Sequence, residues 1–432
     1  MSKKLIFIQL NEINFEFLKE YFKIKNYPNL KLIFNKISLT KSEKNYHLLE
    51  PWIQWQSIYT GLTAKAHGIF RLGDVEKKNI PQFYEKLDKL GYSIGAISPM
   101  NCINRCKNPS YFIPDPWVNS KSDNSKLSKI ISRVLRDTVN NNAGGKIGIL
   151  NYFLIVILII KFSRIKNLPL YIYYFATSFN CKWRKALFLD LLLHDIHLKL
   201  YKKYFPDFST IFFNAGAHIQ HHYFFNSRVN KKNLKNSEKF INHSYDPFEE
   251  ALKLYDRILG DYLTSNSHDV ILATGLTQVL SKKIEYYYRL SNHKSFLNKL
   301  KISYLEIFPR MSRDFLIRFK NKIEVDLAHS ILSKLKLNNQ KIFGVLDKKG
   351  NDLFVTLTYN KQILPYDNLY FENQSINFFN EVNFVSLKNG IHSSKGFLFL
   401  KGNIKKLKKN NAIISIDKLH KLIMDYFTPA VN

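Results

Sequence analysis

The chain reads as an α/β protein: a mostly parallel central sheet with helices on both faces, plus a helical insertion and a small α+β cap. Three observations predict this. Short apolar runs of strand length at Leu5–Leu10, Tyr92–Ile97, Thr210–Phe213 and Val270–Ala273 alternate with helical patterns. From residue 119 to 205 the strand signals stop and apolar helical stretches take over. From 281 to 389 a hairpin-bearing segment of roughly 110 residues, an ordinary subdomain size, separates the core signals of 206–280 from their return at 390–432. The 432 residues, 45% hydrophobic and 15% aromatic, are enough to bury a large core.

The elements follow in order. Leu5–Leu10 is a continuous apolar run, as a strand buried on both faces requires. It leads into Asn11-Glu12-Ile13-Asn14 and a helical pattern at Phe15, Phe17, Leu18 and Phe22. Pro51 breaks the chain, so the next helix is predicted from Ser57. Ile80–Leu90 reads as a helix ending at Gly91, and Tyr92–Ile97 as the strand after it. Within the insertion, Asn140–Gly145 is a loop by composition. Ile147–Ile160 is an apolar run of roughly 14 residues, short of the ~20 that a spanning helix needs. It reads as a buried helix, with Lys161, Arg164 and Lys166 as a basic flank that leaves docking on a membrane surface open. Phe248–Leu263 is a helix with Leu252, Leu254, Tyr255, Ile258 and Leu259 on its inner side. Lys341–Tyr359 is a β-hairpin turning at Lys349-Gly350-Asn351. The chain re-enters the core at a tight turn around Gly390-Ile391-His392, followed by a strand at Phe397–Leu400 and a closing helix over Ile416–Phe427.

Lys and Arg outnumber Asp and Glu by 65 to 34, giving a net charge of +31. Such a charge favours polyanions. The lysines are nevertheless scattered, and heavy use of Lys, Asn, Ile, Phe and Tyr fits an AT-rich coding bias, so the charge reads first as compositional. No RNP, zinc-finger or helix-turn-helix signature accompanies it, which argues against specific nucleic-acid binding. Cys102, Cys106 and Cys181 cannot form a disulfide framework, and Cys102-x3-Cys106 has no second Cys/His pair nearby to complete a zinc site. The first apolar run is too short for a signal peptide and lacks a cleavage site, so the expected location is cytoplasmic.

In open α/β sheets ligands sit beyond the carboxyl ends of the strands. The candidates are therefore Asn11 and Glu12; Ala217, His218, His221 and His222; and Thr274, Gly275 and Gln278, with His392 before the last core strand. His218, His221 and His222 share helical spacing, which sets at least two imidazoles on one face. Glu50 precedes a helix start and neighbours Trp52, Gln54, Trp55 and Gln56, residues able to stack on and hydrogen-bond a sugar; the competing reading places both tryptophans in the core. Glu12 and Glu50, if they converge, make a carboxylate pair able to do acid/base work. His67 reads as structural, and His194 and His197, flanking Asp195, as a solvated helix edge. The clusters Tyr286–Arg289 and Arg310–Asp314, with Arg313, offer a phosphate clamp or surface salt bridges.

The segment Leu49–Gly61, with Ala66-His67-Gly68-Ile69, resembles the nucleophile region of the alkaline phosphatase superfamily, in particular its type I phosphodiesterase/nucleotide pyrophosphatase branch. Gly91-Tyr92, His218-Ile219-Gln220-His221, Leu254–Gly260, and His392 with Gly396 and Gly402 extend the resemblance in the same order along most of the core. The resemblance implies an alkaline-phosphatase-like fold and two divalent cations. One cation site in that family uses an Asp and a His from a D-x3-H motif and a late His; the other uses a first-strand Asp, the nucleophile and an Asp-His pair. Here His221 and His392 match the first set, but its Asp aligns with Ala217. The first-strand Asp aligns with Asn11, the nucleophile with Pro51 and the Asp-His pair with Thr274-Gly275. Proline cannot act as a nucleophile, and Glu12, Glu50 or His218 would have to substitute.

The resemblance thus implies a hydrolase or transferase acting on a phosphorylated small molecule or glycan with a non-standard site. It would hold at most one divalent cation, zinc or manganese, through His221 and His392 with His218. Glu12 or Glu50 would supply acid/base catalysis, and Asn11, Trp52, Gln54, Thr274, Gln278 and Arg313 would contact substrate. The alternative is a catalytically degenerate member that binds a glycan or a partner protein.

Overall fold

The computed structural model describes residues 3–141, 148–310, 313–408 and 413–428. The chain forms two compact units. The first comprises Met1–Thr138, Ile147–Ser281 and Asn389–Asn432; the second comprises Val139–Lys146 and Lys282–Lys388.

The first unit is built on an eight-stranded sheet. We label its strands, and the pair that flanks it, β1 (Leu5–Leu10), β2 (Ser38–Lys41), β3 (Ile94–Ile97), β4 (Tyr111–Ile113), β5 (Phe208–Phe213), β6 (Asp269–Ala273), β7 (Thr277–Leu280), β8 (Gly390–Ser393), β9 (Lys395–Lys401) and β10 (Ile414–Ser415). The sheet order is β10-β2-β9-β6-β1-β5-β3-β4. All ladders are parallel except the two made by β9, with β2 and β6. The expected α/β class with a mostly parallel sheet is what the chain adopts.

β1 occupies the middle of the sheet, and all six of its residues are buried. Its period of two divides the core. Ile6, Ile8 and Leu10 pack on one side with Leu191, Tyr255 and Ile258, and Leu5 and Phe7 on the other with Trp55, Ile58, Tyr59 and Leu419. Gln9 is the polar exception. It is satisfied by Thr210 Oγ1 at 2.7 Å and by the Tyr59 and Tyr84 hydroxyls at 2.5 and 3.2 Å.

The helices that matter below are α1 (Pro51–Thr60), α2 (Ile149–Phe162), α3 (Leu168–Thr177), α4 (Arg184–Tyr204), α5 (Ala215–Tyr223), α6 (Pro247–Leu263) and α7 (Lys418–Phe427). Four sequence expectations are corrected here. α1 begins at Pro51 and not at Ser57, because proline at the first helical position loses no hydrogen bond and has its φ already set. The apolar run expected to be buried forms α2, but Phe153, Val156 and Ile160 are exposed to 62%, 50% and 78%. His194 and His197 are buried and not solvated; both face the Tyr262 hydroxyl, at 3.2 and 3.0 Å, and His197 also meets Ser209 Oγ at 2.7 Å. His392 lies in strand β8, paired antiparallel with β7, and not in a tight turn. His67 is buried as expected, with Ser57 Oγ 3.1 Å from Nε2 and the Ile69 N–H donating to Nδ1. Most of Asn140–Gly145, and Ile147, lie outside the described residues.

The second unit has its own core around Phe296, Phe315, Ile317, Val325 and Val355. A four-stranded antiparallel sheet runs Phe343–Lys349, Asp352–Leu357, Asp314–Arg318 and Glu306–Pro309, and Lys322–Lys334 is helical. The hairpin closes where Lys349 pairs with Asp352, around Gly350 in the left-handed region. Arg313 of this unit stacks over the Tyr287 ring at 4.3 Å; Met311 and Ser312 lie outside the described residues.

Candidate metal centre

The carboxyl ends of β1, β5 and β6 meet at Glu12. Directly after β1 the chain turns through Glu12 with φ +61, a left-handed conformation that is uncommon for a side chain without a local hydrogen-bonding group. The surrounding backbone fixes it there. Its N–H donates to the Thr274 carbonyl at 3.1 Å, and its own carbonyl accepts from the Gln278 N–H at 3.2 Å and Gln220 Nε2 at 3.1 Å.

The Glu12 carboxylate, only 2% exposed, faces two imidazoles. His221 Nε2 is 3.1 Å from Oε2, and His392 Nε2 is 3.3 Å from the same oxygen. The two rings stand edge to face with centroids 5.2 Å apart. One ligand atom from each of Glu12, His221 and His392 lies within 4.8 Å of the others. His221 comes from the last turn of α5, whose N-terminus follows β5. His392 comes from β8, held beside β7 by the pairing of His392 with Gln278.

On its other side His392 meets Glu50, the residue just before α1, with Nδ1 3.4 Å from Oε2. Burial disfavours a charged His392, but the carboxylates of Glu12 and then Glu50 outweigh it and push the pKa up to about 9. Burial likewise opposes ionisation of Glu12, and the charges of His221 and His392 override it, holding the carboxyl well below the usual carboxylate range.

A divalent cation is what the sequence resemblance implies, and this donor set fits one. Two imidazole nitrogens and a carboxylate are a known set of three protein ligands for catalytic zinc, which leaves a fourth position for water or substrate. His392 Nε2 is buried, and the close partner it has, the Glu12 carboxylate, belongs to the same donor set. Its Nδ1 side faces the Glu50 carboxylate, the arrangement that orients a metal-binding imidazole. A second cation does not fit, because Asn11, Pro51, Thr274 and Gly275 stand at the aligned positions and offer no anionic or imidazole ligand.

The structure brings together Glu12, Glu50, His221 and His392, and Gln278 behind them. It does not add His218, whose ring lies against His222 at 4.6 Å and whose pKa falls to about 4, first through burial and then through His221. Glu12, expected as an acid/base group, stands within reach of both imidazoles and so also among the metal-ligand candidates.

The residues expected to bind substrate make these contacts within the fold. Asn11 Oδ1 accepts from Trp55 Nε1 at 2.8 Å, while Nδ2 donates to Glu12 Oε1 at 3.0 Å and Asn214 Oδ1 at 2.8 Å. Gln54 is buried and bridges the Leu48 carbonyl and the Glu43 N–H. Thr274 is fully buried and accepts from the Phe397 N–H; Trp52 Nε1 donates to the Phe70 carbonyl. Trp55 is core, so no tryptophan pair lines a sugar surface. Arg313 belongs to the second unit.

Sequence reasoning missed the support of α5. Asp190, buried on α4, accepts from the Asn214 and Ala215 N–H groups at 3.2 and 2.9 Å and from the Tyr255 hydroxyl at 2.8 Å. Burial pushes its pKa up to about 6 against those bonds. The readable signal was an aspartate inside the apolar stretch Leu187–Leu193.

No family model matches the chain, and no curated protein matches it. Among solved structures it is similar to phosphonoacetate hydrolase from Sinorhizobium meliloti 1021 in complex with phosphonoformate, at 10% identity and a TM-score of 0.45, over 98% of this chain and 96% of that one. It is similar also to murine ectonucleotide pyrophosphatase / phosphodiesterase 5, at 11% identity and a TM-score of 0.43, over 99% and 95%. A third is alkaline phosphatase from the Antarctic bacterium TAB5, at 9% identity and a TM-score of 0.39, over 99% of each chain. All three are members of the alkaline phosphatase superfamily, which the sequence motifs resemble. At these values the likeness assigns neither activity nor ligand.

Proposed function

We propose that this chain is a hydrolase of phosphorylated small molecules that works with a single divalent cation. The observation that carries the proposal is the convergence of Glu12, His221 and His392 on one point at the carboxyl ends of the central strands. The cation, when bound, supplies Lewis acidity and a water of lowered pKa. The phosphate class rests on the order of the sequence motifs, and the net charge of +31 is compatible with an anionic substrate.

Each residue then has a distinct role. Glu12, His221 and His392 hold the cation, and Glu50 is a positioning residue that fixes the His392 ring through Nδ1. Pro51 has no atom able to attack phosphorus, so the ester is cleaved by direct attack of water. In that step the water oxygen forms the new P–O bond and gives up a proton, the ester P–O bond breaks, and the leaving alkoxide takes up a proton, so that none is gained or lost overall.

The test is metal content of the purified protein together with hydrolysis of a nitrophenyl phosphodiester and a nitrophenyl monoester. Stoichiometric zinc or manganese that is lost with turnover in His221→Ala supports the proposal. Absence of both metal and turnover sinks it. It would favour the alternative of a degenerate binding protein, for which the full commitment of Asn11 to Trp55, Glu12 and Asn214 speaks.

A further inference from the structure

α2 and α3, joined by the short link Ser163–Asn167, expose apolar side chains along one stripe each. On α2 these are Tyr152, Phe153, Val156, Ile157 and Ile160, at the i, i+1, i+4, i+5, i+8 spacing of a helix face. On α3 and just beyond it, Leu168, Ile172, Phe175 and Phe179 repeat the pattern, with Ile172 69% and Phe179 67% exposed. The opposite faces are buried. Leu158, Phe162, Tyr171 and Tyr174 pack into the main core, and Tyr171 donates to Asp195 of α4 at 3.0 Å.

Clustered apolar exposure of this kind marks an interaction surface, since soluble surfaces scatter their large hydrophobic residues singly. The charge around it identifies the partner. From Thr138 to Leu189 the sequence contains no Asp or Glu. Arg164 and Lys166 are paired with Asp261, and Arg184 with Glu250, but Lys161 in the last turn of α2, and Lys182 and Lys185 shortly after Phe179 in sequence, are exposed. An apolar face with exposed lysines at its edge is complementary to the boundary between anionic headgroups and acyl chains. α2 has 14 residues, about 21 Å at 1.5 Å per residue, too short to cross a hydrocarbon core of ~30 Å. Among the described residues no helix is long and apolar enough to cross a membrane.

We infer that the α2–α3 segment is a monotopic membrane-docking element that lies in the headgroup region of an anionic phospholipid surface. It inserts Phe153, Ile160 and Ile172 and leaves Lys161, Lys182 and Lys185 at the phosphates.

The experiment is flotation of the full chain with vesicles of phosphatidylcholine alone or mixed with phosphatidylglycerol. The expected result is flotation with the mixed vesicles that weakens with salt. It should drop about tenfold or more in Phe153→Ser/Ile160→Ser/Ile172→Ser and by a smaller factor in Lys161→Ala/Lys182→Ala/Lys185→Ala. These side chains are exposed, so an unchanged thermal midpoint certifies the fold of each variant, and single Ile160→Ser serves if the triple variant does not express. A chain that stays unbound at low salt overturns the inference, as does a triple variant that floats as well as the parent. So does sedimentation showing that the same variant splits a dimer while the parent binds no vesicle, which would make a second copy the occupant.

Discussion

Gln278 holds Glu12 at both ends: its backbone N–H donates to the Glu12 carbonyl at 3.2 Å, and its side-chain amide to the Glu12 carboxylate at 2.5 Å. The same amide nitrogen donates to the Ala217 carbonyl of α5 at 3.1 Å, so one side chain ties together the elements carrying Glu12 and His221. Gln278→Leu keeps the backbone bond and removes the other two. Cation affinity, measured by calorimetric titration with zinc or manganese, should fall about 10- to 100-fold. An unchanged affinity would show that Glu12 needs no such support.

Glu12 and Glu50 separate by charge removal. Glu12→Gln preserves shape but deletes the shared anionic ligand, and metal content should drop below detection along with hydrolysis. Glu50→Gln should retain the cation with affinity reduced by no more than about tenfold, because only the orientation of His392 is loosened. Equal losses in the two variants would place Glu50 on the cation itself.

Gly216 lies in the first turn of α5, where a Cβ would stand 2.2 Å from Ile13 Cδ1 and 2.9 Å from the Tyr255 ring. Gly216→Ala therefore has to push α5 away from its seat. Destabilisation of about 1–3 kcal/mol is expected from overpacking. Because α5 carries His221, cation affinity should decline with it; denaturant midpoints and titration on one sample check both.

Buried histidines set the acid limit of the fold. Burial lowers the pKa of His67 and His268 to about 4, and drives His197 well below its ordinary value. An unfolded chain protonates these rings near 6.5, so the stability they support is complete above that pH and is lost as pH falls toward 4. Stability at pH 5 is therefore lower than at pH 7. Urea midpoints at the two pH values should differ accordingly, and His67→Gln should narrow the gap.

The sheet was legible because β1, β5 and β6 each carry a mostly apolar run that is buried almost end to end, as strands covered on both faces do. His221 and His392 were legible through motif order, and Glu12 through its place after the first strand. What stayed hidden depends on contacts distant in sequence. Nothing near His194 and His197 announces Tyr262 and Ser209, which let two histidines sit in an apolar helix interior. Likewise Asn11, Gln54 and Thr274 look available for a ligand until their partners Trp55, Leu48 and Phe397 are seen. Burial of α2 was misjudged for a related reason: hydropathy reports how apolar a helix is and not how much of it the fold covers.

α4 joins two parts of this molecule that the sequence keeps apart. Asp190 anchors the start of the helix bearing His221. Asp195, little more than a turn later on the same rod, takes bonds from the Arg164 N–H, Asn167 and Tyr171 in the α2–α3 segment. Five residues of continuous helix span about 7.5 Å and do not stretch. One rigid helix therefore seats both the start of the helix that carries His221 and the segment that links the two apolar stripes.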